Sequence, residues 1–188
     1  MEYLREALAP DVGVAAIYCE YKEGAIQSPA HLLAGLWRQL VVDRPLSDTA
    51  KDLYRKHREP ATRPSVREVM EVLKLETSRE PRSEVFIVVD ALDECLEDNN
   101  IRQILLTELR AIQPRTHLMI TSRPHVDITS DFPESIQLEI RATDDDVRCY
   151  IDARMAGDRD LAMLLKGHTS LQNKMREVVA DNASGMYV

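Results

Sequence analysis

The stretch Val85–Leu92 reads VFIVVDAL and is apolar at every position except Asp90. A strand with one wet face alternates apolar and polar residues. A run apolar at consecutive positions has to be covered on both faces, as in a parallel sheet flanked by helices. His117–Ser122 (HLMITS) has the same character and is ended by Arg123 and Pro124. Val12–Tyr21 (VGVAAIYCEY) and Ser135–Ile140 (SIQLEI) are two further candidate strands.

The stretches between these runs carry helical periodicity. Ser28-Pro29 reads as an N-cap with proline at the first helical position, followed by the stripe Leu32, Leu33, Leu36, Trp37, Leu40, Val41. Ser65–Glu68 reads as a capping box with Val66, Val69, Met70 and Leu73 behind it. Ile101, Ile104, Leu105, Leu109 and Ile112 form another stripe. Thr143 caps a helix opened by three aspartates, Asp144–Asp146, at the positive end of its dipole, with Val147, Tyr150 and Ile151 as its stripe. Leu171, Met175, Val178 and Val179 mark a last helix. Residues 2–9 also read as helix. Arg44–Pro64 reads as a loop or insertion with a short helix. Alternating strands and helices give an α/β fold with a parallel sheet.

Composition excludes several function classes. The net charge is −8, distributed as −1 over residues 1–84 and −7 over residues 85–188. Such a balance lacks the basic surface that nucleic acid or an anionic membrane requires. Cys19, Cys95 and Cys149 are widely spaced and form no zinc pattern, so they read as buried or free thiols of a reducing compartment. The chain holds no 18-residue apolar run and starts with no secretory pattern, which points to the cytoplasm. His31, His57, His117, His125 and His168 are scattered and read as surface or core imidazoles.

The chemistry concentrates where the central strand ends. Ligands of open parallel sheets bind at the carboxyl ends of the strands, and the 85–92 run delivers Asp90 there. A carboxylate at that point suits Mg²⁺, which in turn bridges nucleotide phosphates. Asp93 and Glu94 follow at once, and one of them could polarise an attacking water. Two adjacent carboxylates also raise each other's pKa by repulsion. Arg123, at the end of the next strand, offers a planar fork of donors to a γ-phosphate. A metal nuclease would want Glu-x-Lys on that strand, and an aspartyl phosphatase would want Asp-x-Asp; neither is present.

VFIVVDALDEC and TSRP together make the chain resemble part of a NACHT-type NTPase domain, of the STAND class of P-loop proteins. In particular it is similar to the nephrocystin-like NACHT domains that precede ankyrin or WD repeats. Asp90-Ala91-Leu92-Asp93-Glu94 matches the family's Walker B pattern, and TSRP matches its sensor region. The resemblance implies a three-layer P-loop fold with Mg²⁺ and ATP or GTP as ligands. It gives Asp90 to the metal and Asp93 and Glu94 to catalysis, with Arg123 as the γ-phosphate sensor. It divides the chain into a core over residues 1–142 and the start of a helical region over 143–188.

One departure stands out. The six glycines, Gly13, Gly24, Gly35, Gly157, Gly167 and Gly185, are too dispersed for a phosphate loop. The Walker A strand that such a loop follows is expected between the Walker B and sensor strands, or close to them. Its loss leaves a gap or forces the neighbours to pair. The reading is therefore a truncated nucleoside-triphosphate switch, not competent for hydrolysis alone and prone to self-association or protein binding. The alternative is a non-enzymatic interaction or scaffold module derived from such a domain.

Overall fold

The computed structural model describes residues 9, 11–21, 27–42, 44–79, 83–95, 100–112 and 115–183. The helix expected over 2–9 falls outside them at all but residue 9, which is not helical, and residues 184–188 lie outside them too. Two compact units form, Met1–Ser135 and Ile136–Val188.

The first unit is α/β. Its elements in chain order are β1 (Gly13–Tyr18), α1 (Pro29–Val41), α2 (Asp48–Arg58), α3 (Val66–Thr77), β2 (Val85–Asp90), α4 (Ile101–Arg110) and β3 (Thr116–Ile120). The strands make one parallel sheet in the order β1-β2-β3. Gly13 pairs with Val85 and Tyr18 with Asp90; on the other side Val85 pairs with Thr116 and Val89 with Ile120. Strands β2 and β3 thus bond directly to each other.

The helices begin where the capping residues place them. Ser28 Oγ accepts the His31 amide at 3.2 Å, with Pro29 opening α1. Ser65 and Glu68 close a reciprocal capping box at the start of α3. The 44–64 stretch contains a helix of 11 residues, α2, capped by Ser47. Helix α1 packs on β1, α3 and α4. Their shared core holds Leu33, Leu36, Leu73, Val85, Ile87, Val89 and Leu105, each essentially sealed from solvent. At about 25 cal/mol per Å² of apolar surface removed from water, this cluster is the main source of stability.

Two expectations about strands are corrected. The sheet is not covered on both faces throughout. Val85, Ile87 and Val89 are buried, whereas Phe86 and Val88 are half-buried and Met119, on the same face, is 58% exposed. An apolar run therefore reported strand identity but overstated cover on its second face. Phe86 and His117 stack there, with ring centroids 4.7 Å apart. Ser135–Ile140 is not a strand: Ile136 and Leu138 are 98% and 81% exposed. No described strand pairs with this segment, and alternation without a hydrogen-bonded neighbour does not hold extended backbone in a sheet.

The second unit holds α5 (Asp144–Gly157), α6 (Arg159–Leu165) and α7 (Thr169–Ala183). Thr143 and Asp146 form a capping box at α5, and Asp158 caps α6. Its core is small: Ile151, Met155 and Leu165, with Val147, Leu161 and Met175 against them. The expected stripes are only partly used. Tyr150 on α5 and Leu171, Val178 and Val179 on α7 are exposed, because three short helices have too little facing surface to cover them. Ile104 on α4 is likewise exposed. Among the described residues, no helix is long and apolar enough to cross a membrane.

Candidate functional site

The site is built at the carboxyl ends of β2 and β3. Asp90 is the last residue of β2 and is half-buried. The chain then bends through Ala91, whose φ of 54° lies in the left-handed region, into a single 3₁₀ turn over Leu92–Glu94. That conformation costs a non-glycine residue roughly 1–2 kcal/mol. Burial of Leu92 and two bonds to Thr121, the residue that follows β3, hold it in place. The Leu92 amide donates to the Thr121 carbonyl at 2.9 Å, and the Ala91 amide donates to Thr121 Oγ1 at 2.9 Å.

Thr121 is the hub. Its hydroxyl also donates to Asp90 Oδ1 at 2.5 Å. Because Val89 pairs with Ile120, the next residue on each strand meets as Asp90 and Thr121. No local pattern assigns this threonine a role; the register of the two strands does.

The 3₁₀ turn sends its two acids to different partners. Asp93 is largely covered and faces Arg123: the Arg123 amide donates to Oδ1 at 3.2 Å, and Nε lies 3.4 Å from Oδ2. Glu94 Oε2 accepts the Tyr21 amide at 3.4 Å, tying the turn to the chain leaving β1. The adjacent carboxylates are thus engaged separately. The structure brings Asp90, Asp93, Glu94 and Arg123 to one edge of the sheet, with Arg123 turned onto Asp93.

Below this edge lie two buried thiols, Cys19 and Cys95. The Cys19 amide donates to the Asp90 carbonyl at 3.0 Å, and the Cys95 amide closes the 3₁₀ turn onto the Leu92 carbonyl at 3.1 Å. The neighbouring Cys95 thiol, burial and the nearby negative charges of Asp90 and Asp93 push the Cys19 thiol up, while the Cys19 thiol lowers that of Cys95. Cys149 is exposed and lies in the other unit.

The donor set can be weighed against Mg²⁺. The hard carboxylate oxygens are of the right kind, and Mg²⁺ commonly takes one or two carboxylates, filling its shell with phosphate oxygens and water. Among the described residues there is no preformed cluster of three or more acidic, histidine or cysteine ligands. A single carboxylate, Asp90, with an oxygen beyond the one held by Thr121, fits a metal carried in by a nucleotide better than a resident ion.

Comparison with known proteins bears on this edge. No curated protein matches the chain at a significant level. The profile of the family described as nephrocystin 3, N-terminal, matches residues 1–123, a span that runs from before β1 through the acidic turn to Arg123. With well over half its length inside that match, the chain belongs to the nephrocystin 3 N-terminal family.

Proposed function

We propose that the first unit is the metal- and phosphate-facing half of a NACHT-type nucleoside-triphosphate switch, and that it does not hydrolyse nucleotide by itself. The observation that carries this reading is the gathering of Asp90, Asp93, Glu94 and Arg123 at the carboxyl edge of a parallel sheet. Asp90 would hold Mg²⁺, which when bound neutralises phosphate charge. Arg123 supplies a cation to the same edge, and Asp93 keeps its guanidinium there. Glu94 fixes the turn against Tyr21 and would polarise an attacking water. The 188 residues contain no Gly-x-x-x-x-Gly-Lys-[Ser/Thr], so no phosphate loop is present to cradle the nucleotide. ATP and GTP are equal candidates. In a cytoplasmic switch of this kind, the response would pass to protein partners or to further copies of the chain.

A second reading is favoured by the direct pairing of β2 with β3. An unbroken register from Val85–Thr116 to Val89–Ile120 leaves no slot for a strand between them. A sheet closed in this way suits a non-enzymatic interaction module.

Calorimetry and thermal melting with Mg²⁺ and ATP or GTP separate the two. The switch reading expects a small rise in melting temperature at millimolar Mg²⁺–nucleotide, lost in Asp90→Ala, with no phosphate release. Micromolar binding or turnover would overturn the inactivity. A melt indifferent to nucleotide would favour the interaction module.

A further inference from the structure

We propose that the cavity between α1, α2 and α3 binds a small anionic amphiphile, a medium-chain carboxylate whose apolar tail fills the cavity and whose head is held by Arg58. The cavity has a volume of about 330 Å³. Ala34 and Trp37 of α1, Ala50 and Leu53 of α2, and Val69 and Val72 of α3 supply its apolar walls. Protein interiors are close-packed, with few voids larger than a water molecule. An apolar space gives water few hydrogen-bond partners, and spaces of this kind take up apolar ligands. The volume lies at the lower end of the ~300–1,000 Å³ of ligand pockets, which suits a short chain rather than a large ring system.

The charge at the mouth selects the head group. Tyr54 and Arg58 line the cavity and are both exposed, so they mark where it opens. The last turn of α2 carries Arg55, Lys56, His57 and Arg58. Asp52 takes Arg55, and Glu68 takes Lys56 and His57. Among the described residues no carboxylate pairs with Arg58; its guanidinium carbon lies 5.8 Å from the centroid of the Tyr54 ring, a contact that keeps the cation at the opening. A guanidinium presents a planar fork that a carboxylate meets through two parallel hydrogen bonds. An apolar chamber with an uncommitted cation at its rim is the complement of a chain with one anionic end. A cationic amphiphile meets repulsion there, and a neutral one leaves the guanidinium unused.

The cavity shares no residue with the acidic edge of the sheet, so the site and the switch reading fail separately.

Trp37 is the chain's single tryptophan, so its fluorescence reports on the cavity wall directly. The full chain is titrated with hexanoate, octanoate and decanoate below their micellar concentrations, followed by fluorescence and calorimetry. The expected result is one saturable site that tightens about fourfold for each CH₂ added until the cavity is full. Octanoate should also raise the melting temperature. Octanol should bind about tenfold more weakly than octanoate, and octyltrimethylammonium more weakly still. Arg58→Gln, a change at an exposed position, should bring octanoate down to the level of octanol and leave octanol unchanged. No saturable binding of octanoate or decanoate up to about 10 mM would overturn the proposal. Octanol or the ammonium binding as tightly as octanoate would overturn the anionic head, as would an Arg58→Gln chain that binds octanoate like the parent. A lowered melting temperature would place the ligand on the unfolded chain and overturn the site.

Discussion

Asp93 holds Arg123 twice, through the backbone amide at 3.2 Å and the guanidinium at 3.4 Å. The two halves of this contact differ in environment, since the Asp93 side chain is 7% exposed and that of Arg123 69%. Arg123→Ala should therefore cost little, about 0–1 kcal/mol, as expected for an ion pair with an exposed partner. Asp93→Ala removes the acceptor of the amide as well and should cost more, about 1–3 kcal/mol. Urea denaturation of both variants checks the order; equal losses would mean that the guanidinium, not the amide, carries the contact.

Thr121→Val keeps the shape of the side chain and deletes its hydroxyl. Asp90 Oδ1 loses a donor and the Ala91 amide loses its acceptor. The expected loss is about 1–3 kcal/mol, with Thr121→Ser recovering most of it. Hydrogen exchange at the Ala91 amide gives the local readout, and it should speed up in the valine variant alone.

Gln39 on α1 acts as a substitute strand. Its amide donates to the Ala16 carbonyl at 2.8 Å, and its Oε1 accepts the Ala16 amide at 3.0 Å. These bonds satisfy Ala16 at the centre of the outer edge of β1, an edge that otherwise invites pairing with another chain. Gln39→Leu should destabilise by about 1–3 kcal/mol and raise the aggregation rate. Denaturant melts and light scattering would report these; unchanged scattering would remove the edge-protection role.

Glu68 gives a pH dependence. Lys56 Nζ, the Ser65 amide and hydroxyl, and His57 all bond its carboxylate, and together they hold its pKa well below the ordinary glutamate range, the Lys56 bond most strongly. A folded value below the unfolded one means that the folded chain binds the proton less readily. The stability it contributes is present above the unfolded glutamate value of about 4.3 and is lost as the pH falls from there towards the folded value. Glu68→Gln should flatten that part of the acid-denaturation profile, while leaving the profile above pH ~6 parallel to that of the parent chain.

Legibility followed the range of the forces involved. Ser28, Ser65 and Thr143 were readable as caps because a cap is completed within three residues of itself. Asp90 was readable because an apolar run has to end and its last residue is delivered to the sheet edge. The role of Thr121 was not, since it depends on the register of two strands. Glu76 shows the same limit: a glutamate on α3 would be assigned to solvent, yet it is fully buried, with Arg44 at 3.8 Å and Arg79 at 3.6 Å.

By itself the sequence determined the α/β alternation, the helix starts and the acidic strand end, because periodicity, capping and chain polarity act over a few residues. Tertiary structure alone decided that β2 and β3 pair directly, that Asp93 is turned to Arg123 and Glu94 to Tyr21, and that Cys19 and Cys95 are buried in one core. Each of these depends on which distant segments share one core, and no local pattern encodes that.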